Sequence, residues 1–167
     1  MTTIAIERTT SHKIIAIAYM VGGVIGAISL VPKLNGAALH VISALAWLMM
    51  SAQVVAAIFG GWQFWCARPI GYQVLYWLSL SCIPVITFSI VSYYCAIGLG
   101  ASPVLSFGAG NLGVNFYFHF GYASELGFNP GTPGVSIGVN FVAIAFLASI
   151  ARVMKAARVS TVEACCD

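Results

Sequence analysis

The sequence predicts an all-α integral membrane protein: four transmembrane helices with a small β-hairpin over their outer ends. Three observations carry this. The chain has 167 residues, of which 60% are hydrophobic and only 7% charged, against roughly 25% charged in soluble domains. Its mean hydropathy is +0.97. Its long apolar segments are comparable in length to the roughly 20 residues needed to cross a bilayer as a helix. So few charges could not cover the surface of a soluble fold of this size.

The elements follow in order. Met1 to Lys13 is a short polar lead carrying Glu7, Arg8, His12 and Lys13, with Ser11 as a helix N-cap. Residues 14–31 form a first, uncleaved span, longer than the apolar core of a signal peptide and ended by Pro32. Gly22 and Gly26 make a GxxxG pair on it, which allows close helix packing within the subunit or against a second copy. Residues 37–65 form the second span, long enough to tilt, with His40 near its start and Gln53 near its middle. A hairpin turn around Arg68 follows. It is flanked by Trp62, Trp65, Tyr72, Tyr76 and Trp77, the aromatic belt of a membrane–water boundary. Residues 72–97 form the third span, kinked at Pro84 because its ring removes a backbone hydrogen bond and crowds the preceding turn. Thr132 and Pro133 supply an N-cap and first helical position for a fourth span over residues 133–155, which carries Asn140.

The segment from Leu99 to Gly134 cannot span. It is rich in Gly, Asn and aromatics and lacks Lys and Arg. Within it, Phe116, Phe118 and Phe120 alternate with Asn115, Tyr117 and His119, which is strand period. Val104 to Phe107 is the weaker partner strand, and Gly108-Ala109-Gly110-Asn111 supplies the turn. The expectation is a hairpin lid whose phenylalanine face is buried on the helix ends. An isolated hairpin is marginal in water, and that burial would stabilise it.

Lys and Arg set the orientation. With the N-terminus inside, Arg8, Lys13, Arg68, Arg152, Lys155 and Arg158 lie on the inner side, against Lys33 outside. Both termini are then cytoplasmic and loop 99–134 is extracytoplasmic. The small size and short loops point to a bacterial inner membrane. The whole chain, 1–167, reads as one transmembrane domain.

Chemistry is sparse. Paired carboxylates, nucleophile elbows, P-loops and metal-binding His/Cys spacings are missing, so no catalytic residue, metal or cofactor is assigned and the balance leans against an enzyme. The spans carry no Asp, Glu, Lys or Arg, which argues against an ion-coupled transporter. No basic, aromatic-interleaved patch suits nucleic acid. Cys82 and Cys95, thirteen positions apart on one helix, would stand about 20 Å apart, too far to bridge. Three sets of residues remain. His40, His119 and Glu125 could meet at the outer face, either as a metal or acid–base site or as separately solvated groups. Gln53 and Asn140 are intramembrane polar residues whose ordinary role is an interhelical hydrogen bond of about 0.6 kcal/mol. Gly22 and Gly26 are the helix-packing pair.

The leading functional expectation is a non-enzymatic accessory subunit in the lipid bilayer that recognises a protein partner through loop 99–134. The alternative is a small oligomeric transporter or pore. A weaker one is a membrane enzyme or redox protein using His40, His119 and Glu125.

Overall fold

The computed structural model describes residues 10–36, 41–88, 92–108, 111–127 and 134–163. The order is α1 (Thr10–Gly36), α2 (Val41–Trp65), α3 (Pro69–Ser81), β1 (Pro84–Thr87), β2 (Ser92–Gly108), β3 (Asn111–Gly127), β4 (Val135–Val139) and α4 (Phe141–Glu163). The all-α expectation is therefore overturned: this is a mixed α/β fold with four helices and a four-stranded antiparallel sheet. Two helices, through Thr10–Val31 and Ala44–Trp65, are long and apolar enough to cross a membrane.

The third and fourth apolar runs each break into a helix and strands, for local reasons. Pro84 does not kink a helix. α3 has already ended, with Cys82 as its C-cap, and Pro84 opens β1, whose Val85, Ile86 and Thr87 are β-branched and suit a pleated strand. At 13 residues α3 is about 20 Å long, too short for a hydrocarbon core of about 30 Å. In the fourth run Val135, Ile137 and Val139 alternate with Ser136 and Gly138, and this period-2 stretch is β4. α4 starts at Phe141, not Pro133, and its N-cap is Asn140. Thr132 and Pro133 lie outside the described residues. At the other boundary, α1 runs past Pro32 to Gly36.

The hairpin exists but is far larger than a lid. β2 and β3 pair without a register break from Ser92↔Gly127 to Gly108↔Asn111. Ile86↔Tyr93 joins β1 to the start of β2, Leu105↔Ile137 joins the later part of β2 to β4, and Ile86↔Ile137 joins β4 back to β1. These three strands close a ring, so β2 must double back between residues 93 and 104. It turns at Gly98 (φ +83°), whose partner across the hairpin is Gly121 (φ +101°). Both conformations lie in the region that glycine adopts without Cβ strain.

α1 lies directly on this bend. A Cβ on Gly22 would stand 2.2 Å from the Gly98 amide nitrogen and 2.9 Å from the Gly121 carbonyl oxygen. The half of the Gly22/Gly26 pair assigned to helix–helix packing thus faces the hairpin. Gly26 packs against the Tyr122 ring and Val54. The helical core is built on Tyr19, Phe64, Leu75 and Ile150, and it continues into the sheet through Cys82, Cys95 and Ile97.

His12, read as part of a polar lead, is buried in this core at the start of α1. Its ring stacks on Phe64 at 4.1 Å. One ring nitrogen bonds the Phe64 carbonyl and the other lies 3.2 Å from the Tyr72 hydroxyl. This cluster ties the start of α1 to the end of α2 and the start of α3. Lys155 and Met154 of α4 adjoin Gln73 and Tyr76 of α3, so Lys13, Arg68 and Lys155 occupy one end of the bundle, away from the bend of the sheet.

Candidate functional site: a hydroxyl-lined cup

In an antiparallel sheet, directly opposed residues lie on one face. Partners traced from Thr87 through Ser136 to Ser106, and from Gly138 through Val104 to Asn115, with Ser102↔Tyr117 and Gly100↔His119, define a face of small and polar side chains. The opposite face carries Ile137, Leu105, Phe107, Leu112, Val114, Phe116, Phe118 and Phe120. Along β2 from Leu99, burial alternates accordingly, with Gly100, Ser102 and Val104 buried and Leu99, Leu105 and Phe107 exposed.

The phenylalanine face is therefore turned outward. Phe118 and Phe120 are 76% and 78% exposed, which overturns the expected burial of that face on the helix ends. The physical reason is the ring of β1, β2 and β4. Once β2 curls, one face of the hairpin must line the concave side. The side with Gly, Ser and Asn fits there, whereas rows of phenylalanine would not.

The concave side encloses a half-open cavity of about 380 Å³ between sheet and α1. Seven of its eleven lining residues carry a hydroxyl: Thr87 of β1, Ser136 of β4, Tyr94 of β2, Tyr117, Tyr122 and Ser124 of β3, and Ser29 of α1. His119 adds an imidazole, and Val85, Val104 and Ala123 complete the wall, which among the described residues has no Asp, Glu, Lys or Arg. The His119 ring lies 5.0 Å from Tyr94 and stacks with Tyr117 at 6.4 Å. Some hydroxyls are already engaged: Ser136 donates to Ser106 (3.0 Å), Ser124 to Gln53 Oε1 (3.3 Å) and Ser29 to the Ile25 carbonyl (2.8 Å). The hydroxyl oxygens of Tyr94 and Tyr122 are buried, the first against Ser102 and the second against Ser124.

His119 is in the cup. Glu125 stands opposite Tyr94 in β3, its side chain outside the described set, and His40 lies outside the described residues altogether. Among the described residues no three His, Cys, Asp or Glu come together. Gln53 joins helix to sheet: its Nε2 donates to the Tyr93 hydroxyl (3.3 Å), and that hydroxyl donates to the Ser81 carbonyl (2.7 Å). Asn140 Oδ1 accepts from the amides of Val142 (3.1 Å) and Ala143 (3.3 Å) and also from Ala101 of β2 (3.3 Å). It caps α4 and fixes the sheet to it.

Sequence reasoning missed Tyr94, Tyr122, Thr87 and Ser136. Tyr94 and Thr87 were read as parts of a helix. The alternation of Ser136 and Gly138 with β-branched neighbours was the available signal for β4. No protein-family model, no curated protein and no solved structure matches the chain.

Proposed function

We propose that this is a membrane-embedded binding protein that holds a small uncharged molecule, one with hydroxyl or carbonyl groups and an apolar face, in the cup. This belongs to the solute-handling class named as the alternative in the sequence. The observation that carries it is a cavity whose described lining combines seven hydroxyl-bearing side chains and His119 with no charged group. Its volume falls within the range of about 300–1,000 Å³ typical of small-molecule sites.

Several features support a membrane setting for the cup. α1 and α2 are the spanning helices of this reading. Gly22, where the hairpin bend rests, lies near the middle of the Thr10–Val31 segment, and Gln53, which holds Tyr93 and Ser124, lies near the middle of Ala44–Trp65. The sheet therefore touches both spans at mid-depth. Apolar-out and polar-in alternation is the pattern of strands that meet lipid, and Leu99 and Phe120 of the exposed sheet face adjoin Ile14, Ile17 and Val21 on the exposed apolar face of α1.

Native mass spectrometry of the protein released from gentle detergent, with a thermal-shift panel of a monosaccharide, a polyol, a phenol and a small amide, tests the proposal. A retained neutral adduct or a stabilising compound is expected. Tyr117→Phe should weaken that binding about tenfold, the equivalent of one hydrogen bond. Absence of both an adduct and any shift would sink the reading.

The partner-recognition reading keeps one specific observation in its favour. β3 is an edge strand of 17 residues, and open sheet edges do not face lipid. A second chain laid along β3 would satisfy both that edge and Phe116, Phe118 and Phe120. A photocrosslinker at position 118 separates the two: lipid adducts favour an outward lipid face, and capture of a distinct protein favours recognition.

A further inference from the structure

The break in the third apolar run brings together two cysteines that a continuous helix would hold far apart. Cys82 is the C-cap of α3 and Cys95 lies in β2. Their Sγ atoms are 3.0 Å apart, and the residues are 2% and 0% exposed. Tyr19 and Ser79, hydrogen-bonded to each other at 2.7 Å, belong to the same buried region. No third metal-ligating group accompanies the two sulfurs among the described residues.

From this we infer that Cys82 and Cys95 form a disulfide in the mature protein, a staple at the joint where the helical layer becomes the sheet. The bond closes a loop that contains all of β1 and holds the start of β2 against α3, which fixes one side of the ring of strands around the cup. Formation is a thiol–disulfide exchange with an oxidant of the class R–S–S–R. One cysteine thiolate attacks the oxidant, forming a mixed disulfide and releasing R–S⁻. The second cysteine thiolate then attacks the mixed disulfide at the first cysteine's sulfur and releases the other R–S⁻. Two electrons pass from the cysteine pair to the oxidant. The two thiol protons end on two R–SH. Both sulfurs are sealed in the finished fold, so the exchange takes place before β2 closes against α3.

The distribution of charge sets the pair apart from Cys66. Disulfides persist in oxidising compartments. Lys13, Arg68 and Lys155 gather at the opposite end of the bundle, and basic ends stay cytoplasmic. Half-exposed Cys66, beside Arg68, is at that reducing end, whereas the Cys82–Cys95 joint lies about 20 Å from it along α3, toward the middle of the spans.

The test uses the full chain with Cys165→Ser and Cys166→Ser, expressed in membranes, trapped with iodoacetamide in denaturant and weighed intact. One alkylation, at Cys66, is expected without reductant, and three after dithiothreitol. A proteolytic fragment joining the Cys82 and Cys95 peptides should vanish on reduction. Three alkylations without reductant would overturn the inference. A readout on folded protein complements this. Protein produced in cells grown with dithiothreitol should melt several degrees below protein produced without it, whereas Cys82→Ser/Cys95→Ser should melt alike from both, and equal Tm values for the native chain count against the bond.

Discussion

At Gly98 the position a Cβ would occupy lies 2.5 Å from the Ala18 carbonyl oxygen, on a backbone with φ of +83°. Two separate costs would fall on Gly98→Ala: a left-handed conformation, about 1–2 kcal/mol for an L-residue, and overpacking against helix backbone, about 1–3 kcal/mol. Together they should remove about 2–5 kcal/mol, read as a fall in Tm in detergent. Gly113 is the internal control. Its nearest neighbour to a new Cβ is 3.9 Å away, so Gly113→Ala should stay within about 0.5 kcal/mol. Asn140 tests a different kind of constraint. Asn140→Ala removes an N-cap and strands the Ala101 amide, so chemical or thermal unfolding should show a loss of about 1–2 kcal/mol. Neither Gly98 nor Asn140 announces its role in the sequence. A glycine in an apolar run and an asparagine in a presumed span look like ordinary packing and hydrogen-bonding residues until the partner strand and the helix start are placed.

The hairpin settles its question at the scale of the element. Its period-2 pattern from Asn115 to Phe120 and its turn around Gly108–Asn111 were legible, because side-chain alternation is a property of the local chain. Which face turns inward was not. That depends on β1 and β4, which lie elsewhere in sequence and curl β2 so that the side bearing Ser102, Tyr117 and His119 becomes concave. If the phenylalanine face meets lipid as proposed, Phe118→Arg should destabilise the inserted protein by about 2–4 kcal/mol, the cost of a cation on a lipid-facing strand near the midplane, and Phe118→Leu should be tolerated. Equal tolerance of both in a membrane-unfolding assay would count against lipid contact.

At the scale of the whole molecule, the basic end and the sheet end make a directional prediction. In a background with Cys66, Cys165 and Cys166 changed to Ser, Gly113→Cys should react with an impermeant maleimide added to intact cells, and Arg68→Cys should react only after permeabilisation. Labelling of both from outside, or of Arg68→Cys alone, would refute the orientation.

The sequence by itself determined the apolar class of the chain, the two long helices, the turn at Arg68 and the alternation within the hairpin. All of these rest on composition or on short-range periodicity, which the local chain carries. Tertiary structure decided the rest. It ended α3 before Pro84, turned Val135–Val139 into a strand, brought Cys82 against Cys95 and faced the hydroxyls inward. A run of apolar residues satisfies a helix and a sheet almost equally well, since both bury the same side chains. Backbone hydrogen bonding separates the two, and for a strand the partner groups come from residues remote in sequence.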